Sequence, residues 1–299
     1  MKKRSTVIVG IDFSAPSRRA LDIAVAVAAR AGARVELLHV WNPNHLAGSG
    51  AVHPELESWI LEQKHVLAAQ LERWSADAAG SAPVSATVIE GVASRVLPER
   101  AHEVGAGLIV VGRRGSANLA HVLLGSVSER VVHLAPCPVL VVPEQTRVAV
   151  APERLLVGVD FSQAAREALE AASELAATLG VKRGIVVAHA RPRDPRASLE
   201  NWSEHDHPGR DEPALERWAA RSSLGGVTVS CRIVPGSPEM CLVAAADREA
   251  CDWLVLGQQG RTALAAFPIG SATHRILKLA DRPVLVVPRK TGPPGEGSS

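Results

Sequence analysis

No apolar run in this 299-residue chain approaches the ~18–20 residues that a membrane-spanning helix needs. The basic start, Met1-Lys2-Lys3-Arg4, leads into an apolar stretch at 7–11 that Asp12 already breaks, which is too short for the core of a signal peptide. A cytoplasmic location is therefore expected, with no membrane contact. Charge of one sign is also missing. Lys and Arg number 33 against 31 Asp and Glu, and the halves divided at residue 150 carry 15 against 13 and 18 against 18. Neither half has the basic excess of a nucleic-acid-binding domain. Cysteine is scarce. Cys137, Cys231, Cys241 and Cys251 show no metal-type pairing and read as free, buried thiols of a reducing compartment. Two familiar phosphate motifs are absent as well. There is no GxxxxGK[ST], which excludes a P-loop NTPase, and no GxGxxG after the first apolar run, which argues against a dinucleotide site. A hydrophobic content of 46% is nevertheless too high for a disordered chain.

What the chain does contain is a copy of itself. Val9-Gly10-Ile11-Asp12-Phe13-Ser14 returns as Val157-Gly158-Val159-Asp160-Phe161-Ser162, at an offset of 148. Leu71-Glu72-Arg73-Trp74 returns as Leu215-Glu216-Arg217-Trp218, and Pro138-Val139-Leu140-Val141-Val142-Pro143 as Pro283-Val284-Leu285-Val286-Val287-Pro288. The matches keep their order, and the period is domain-sized, so this is a tandem duplication and not a solenoid. It implies domains at 1–146 and 147–290, joined by a short proline-containing link. A Gly/Pro/Ser-rich tail at 291–299 is expected to be disordered.

Each half alternates short apolar runs with longer helical patterns. The runs at 7–11, 34–40, 84–89, 108–111 and 138–142 read as strands buried on both faces, as do 155–159, 184–189, 227–234, 253–256 and 283–287 in the second half. Ser14 and Ser162 are helix caps, Gly32 and Gly180 helix stops, and Pro238 a helix start. Pro98, deeper after Ser94, suggests an irregular start. Strict alternation of this kind implies an α/β fold with a parallel sheet and helices on both faces.

The most informative local pattern follows the fourth run. It reads Gly112-x2-Gly115-x9-Gly125-Ser126, and it recurs with the same spacing as Gly257-x2-Gly260-x9-Gly270-Ser271. Glycine admits a ligand close to the backbone. Gly-Ser opens a helix whose free N–H groups and dipole favour an anion. Ser126 can cap that helix, with Glu129 completing a capping box, or its hydroxyl can instead bind a phosphate oxygen. In an open α/β sheet the ligand lies beyond the carboxyl ends of the strands at a switch point, and Asp12 and Gly112 flank one if their strands are neighbours. Single glycines also mark ordinary turns. It is the second copy, again with an Asp upstream, that favours phosphate binding.

At these residues the chain resembles the universal stress protein family, once per half. The resemblance rests on Val9–Ser14 and Val157–Ser162, on the two glycine motifs, and on the closing Cys137-Pro138-Val139-Leu140-Val141-Val142-Pro143. It implies two Rossmann-like (adenine nucleotide alpha hydrolase-like) domains, each a five-stranded parallel sheet of order 3-2-1-4-5. It further implies ATP as ligand. Asp12 would lie near the ribose and any Mg²⁺, Val40 would pack on the adenine, and Gly112, Gly115, Gly125 and Ser126 would hold ribose and phosphates beside Val127. The matching positions are Asp160, Ala190, Gly257, Gly260, Gly270, Ser271 and Ala272. Family members commonly pair their last strands. The resemblance thus implies an internal pseudo-dimer through Val139–Val142 and Val284–Val287, with a homodimer as a further option.

The copies differ. Arg113-Arg114 in the first motif becomes Gln258-Gln259, Val40 becomes Ala190, and Val127 becomes Ala272, so the second site is expected to bind more weakly. Several tempting residues read as structural. His39 and His189 suit satisfied core histidines. His205-Asp206-His207 suits a solvated loop better than a metal site. Trp59/Trp202 and Trp74/Trp218 suit helix-face anchors. Arg18-Arg19 lies on a helix and is no export signal. The expected function is nucleotide-dependent sensing or partner binding in a stress response. The rivals are a slow ATPase or nucleotidyl-transfer enzyme and a ligand-independent scaffold. No general base or nucleophile stands beside the motif, so efficient turnover is not expected.

Overall fold

A computed structural model describes residues 5–43, 54–114, 124–144, 146, 151–191, 212–222, 224–260 and 269–289. The first half runs β1 (Thr6–Ile11), α1 (Ala15–Ala31), β2 (Arg34–Trp41), α2 (Pro54–Ala78), β3 (Val84–Glu90), α3 (Ala93–Glu103), β4 (Leu108–Gly112), α4 (Ser126–Leu134) and β5 (Val139–Val142). The second half repeats the order with β6 (Leu155–Val159), α5 (Gln163–Leu179), β7 (Ile185–Arg191), α6 (Glu212–Ala219), β8 (Val229–Pro235), α7 (Pro238–Arg248), β9 (Trp253–Gly257), α8 (Ser271–Leu279) and β10 (Val284–Val287).

The helix ends follow from local chemistry. The Ser14 hydroxyl accepts the Ser17 N–H at 3.3 Å, and the Ser162 hydroxyl accepts the Ala165 N–H at 3.1 Å, each satisfying a donor the first turn leaves over. Gly32 and Gly180 close the same two helices at φ of 61° and 65°, where a side chain would be strained. Pro98 lies inside α3, which starts five residues earlier, after Val92.

Within each half the strands are parallel and ordered 3-2-1-4-5, so β1 lies between β2 and β4, and β6 between β7 and β9. The two fives then meet edge to edge. β5 and β10 pair antiparallel with Leu140 opposite Leu285, producing one ten-stranded sheet of order β3-β2-β1-β4-β5-β10-β9-β6-β7-β8. An edge strand made only of Val and Leu would otherwise offer its open backbone to any passing strand.

Apolar residues of both halves merge into two cores, one on each face of this sheet. The first gathers Leu21, Val27, Leu71, Leu169, Leu175 and Leu215 over the sheet residues Val9, Leu140, Val157 and Leu285. The second gathers Leu97, Val131, Leu242 and Ile276 over Ile8, Val139, Leu156 and Val284. Burial on both faces explains why the strands read as unbroken apolar runs. Among the described residues, no helix is long and apolar enough to cross a membrane.

Candidate functional site

Each half builds the same cluster at the carboxyl end of its central strands. The chain leaves β1 at Asp12 and turns through Phe13, a non-glycine residue at φ 63°; Phe161 does the same at φ 64°. Such a conformation costs about 1–2 kcal/mol. Part of the return is a carboxylate that folds back on the helix start. Asp12 Oδ1 accepts the Ser14 N–H at 3.1 Å and also the Ser14 hydroxyl. Asp160 Oδ1 accepts the Ser162 N–H at 3.0 Å. Both acids are thereby fixed at the mouth of the crevice between the first and fourth strands of their sheet.

His39 and His189 hold the strand end beneath. Their registers put them opposite Ile11 and Val159, whose carbonyls lie 2.8 Å from Nδ1 in each case. A carbonyl only accepts, so Nδ1–H donates in both. Burial pulls the His39 imidazole below its usual pKa, favouring the neutral ring. Against the histidines stands a ladder that is duplicated residue for residue. The His39 and Phe13 rings are 4.8 Å apart, Trp74 meets Phe13 edge-on at 5.5 Å, and the Arg18 guanidinium covers Trp74 at 5.3 Å. In the second half His189, Phe161, Trp218 and Arg166 stack at 4.7, 5.6 and 4.6 Å. Trp74 and Trp218 therefore anchor the two strained turns. Trp59 is 39% exposed, and Trp202 lies outside the described residues.

The glycine turns follow the neighbouring strands β4 and β9. At Gly112 a Cβ would sit 2.8 Å from that of Pro16 in α1, so the strand end and the helix start approach as closely as glycine permits. At Gly260 a Cβ would run into the Asp160 carboxylate, which places the second motif's middle glycine directly on the predicted acid. Gly115, its counterpart, lies outside the described residues, as does His205-Asp206-His207. The turns close by matching bonds. Gly125 N–H donates to the Arg113 carbonyl at 2.9 Å, and Gly270 N–H to the Gln258 carbonyl at 2.8 Å.

One local expectation is corrected. Ser126 does not cap α4 and there is no capping box. Gly125 is the cap residue, with φ −65° and ψ 140°, Ser126 is already the first helical residue, and no side chain caps the end. Gly270 and Ser271 repeat this in α8. The first-turn N–H groups have no intrahelical acceptor, and the Ser126 and Ser271 side chains are exposed. Val127 is exposed and Ala272 half-buried in the same turns, while Val40 is half-buried and Ala190 buried at the ends of β2 and β7.

Two features of the cluster escaped the sequence reading. Ser128 Oγ–H donates to the Gly112 carbonyl at 2.7 Å, and Thr273 Oγ1–H to the Gly257 carbonyl at 2.9 Å, so each helix tethers its own glycine turn. A hydroxyl residue two places after Gly-Ser in both halves was the available signal. The second feature is that Arg113 reaches across the domain joint. Its guanidinium Nη1 donates to the carbonyls of Lys278 and Ala280, at 3.2 and 2.7 Å, in the other half.

A model of the universal stress protein family matches residues 3–143 and, again, 152–288. This chain belongs to that family. A universal stress protein of Mycobacterium tuberculosis is 28% identical over 304 residues, spanning 95% of this chain and 97% of its own length. The crystal structure of a universal stress protein from Archaeoglobus fulgidus superimposes with a TM-score of 0.69 at 22% identity, covering 95% of this chain and 96% of that one. A universal stress protein solved in complex with cAMP is 28% identical, covers 48% of this chain and 99% of that one, and gives a TM-score of 0.36. The tandem α/β architecture is thus that of two universal stress protein domains.

Proposed function

We propose that this universal stress protein binds adenine nucleotide, ATP foremost, in two crevices and uses their occupancy to govern partner binding in a stress response. The observation that carries the reading is the repeated convergence of an acid, a glycine turn and an uncapped helix start at the switch point of each sheet, seen most directly where Gly260 abuts Asp160. Backbone N–H groups and the helix dipole would hold phosphates. Asp12 or Asp160 would face the ribose, and Val40 or Ala190 the base. The domains taken as 1–146 and 147–290 would act as an internal pseudo-dimer about the β5–β10 joint.

Among the described residues, one carboxylate, Asp12 or Asp160, stands at the strand end of each crevice. That suits a Mg²⁺ brought in on the triphosphate, which keeps most of its waters, better than a resident ion. Among the described residues no three His, Cys, Asp or Glu side chains gather to hold a metal. The two sites differ in apolar packing, at about 0.8 kcal/mol per buried methylene, which favours the first.

The test is isothermal titration of the full chain with ATP and Mg²⁺. Two equivalents should bind the wild type and one should bind Gly260→Asp, whose new carboxylate would crowd Asp160. Failure to bind at millimolar ATP would leave the scaffold reading. Robust phosphate release abolished by Asp12→Ala would turn the proposal toward an enzyme.

A further inference from the structure

The residue after the first glycine of each motif serves the other domain. Arg113 follows Gly112 and donates to Lys278 O and Ala280 O at the carboxyl end of α8. Gln258 follows Gly257 and its Nε2 donates to Val132 O and His133 O at the carboxyl end of α4, at 3.0 and 2.9 Å. Both side chains are withdrawn from water. Gln258 is 8% exposed, and burial pulls the Arg113 guanidinium below its ordinary pKa. The last carbonyls of a helix lack intrahelical donors and carry the negative end of its dipole, so an amide or guanidinium donor is what such an end requires. The amino ends of these same helices are the uncapped starts at Gly125 and Gly270. A second link joins the helices directly. His274 Nε2 in α8 lies 3.2 Å from Glu129 Oε1 in α4.

From these contacts we infer that Arg113 and Gln258 are reciprocal positioning residues. Each grows from the glycine turn of one crevice and fixes the helix that opens the other. A ligand that tightens the Gly257 turn fixes Gln258, and with it α4. The first crevice is then presented in its binding geometry, and the same holds in reverse through Arg113 and α8. The two sites are therefore coupled, and by linkage each must affect the other by the same factor. The helix-fixing part stands on geometry alone, and the coupling rests on the nucleotide reading proposed above.

Amide hydrogen exchange of the ligand-free full chain reads the first part. Gln258→Glu places an acceptor against the α4 carbonyls and should speed exchange across residues 126–135 by about tenfold. Gln258→Arg restores a donor of the kind that already serves at position 113, and it should leave that exchange near wild type. Unchanged α4 exchange in Gln258→Glu, or equal acceleration in Gln258→Arg, overturns the inference. The second part is read by ATP titration with the second crevice disabled by Gly260→Asp. Adding Gln258→Glu should weaken the remaining site about tenfold, and adding Gln258→Arg should change it less than twofold. If the glutamate variant binds as tightly as its parent, coupling is refuted. If exchange behaves as expected while the wild type binds no ATP, the nucleotide reading has failed and the cross-domain support of α4 stands.

Discussion

Ser128→Ala removes one oxygen and separates two contributions to the first site. Ser128 is 4% exposed, and its hydroxyl lies 2.7 Å from the Gly112 carbonyl. A buried hydrogen bond is worth ~0.5–1.5 kcal/mol net, and abandoning a buried acceptor raises the cost to ~1–3 kcal/mol. Alanine returns up to ~0.5 kcal/mol through its better helix propensity. The bond wins, leaving a net loss of about 1–2 kcal/mol. At about 2–4 °C per kcal/mol for a chain of this order of size, Tm should fall by roughly 2–8 °C. The second domain supplies the control. Thr273 makes the same tether to Gly257 at 2.9 Å, so Ser128→Thr should keep the bond and stay within ~0.5 kcal/mol of wild type. The assay is calorimetric unfolding of both variants, followed by ATP titration. Affinity at the first site should fall in the alanine variant, because the glycine turn loses its anchor to α4. A Ser128→Ala protein as stable as Ser128→Thr would refute the claim that the helix holds the turn through this hydroxyl.

Other consequences are equally direct. Because burial lowers the His39 pKa, the unfolded chain binds its proton more readily than the folded one. Stability should therefore be complete above pH ~6.5 and decline as pH falls from there through the lowered folded value, and His39→Gln should flatten that acid limb in urea titrations. Burial also pushes the Cys137 thiol up to about 12 and those of Cys231 and Cys251 to about 11. At pH 8 iodoacetamide should then label the half-exposed Cys241 first, with mass spectrometry finding the other three protected until denaturant is added. Leu140 and Leu285 face each other across the domain joint and are almost wholly buried. Leu140→Ala should cost about 2–5 kcal/mol, and the double variant should show non-additivity in a double-mutant cycle, which two leucines without contact would not show.

Much of this molecule is local in origin and hence readable along the chain. Strands sealed on both faces must be apolar throughout. A serine before a helix and a glycine after it act within a few residues of themselves. A duplication leaves Asp12 and Asp160, or Gly112 and Gly257, in matching places. Even the strained turns at Phe13 and Phe161 have their tryptophan and arginine supports at repeated positions, although nothing in one dimension says that Trp74 meets Phe13 and not another residue of the core. Where the reading failed, the cause was distance. Ser126 looks like a cap because Gly-Ser commonly ends at the serine, yet the helix begins one residue sooner, and the hydroxyl that matters is that of Ser128, bonded to a carbonyl sixteen residues back. Arg113, placed between two glycines, reads only as positive charge near the first site. Its actual acceptors are 165 and 167 residues away.

The sequence by itself determined the two domains, their alternation of strand and helix, and the motifs that mark each crevice, because those depend on periodicity and on short-range hydrogen bonding. Only the tertiary structure decided where the charge of Arg113 and the amide of Gln258 are used. That depends on the antiparallel meeting of β5 with β10, which brings each glycine turn against the far end of the other domain's helix.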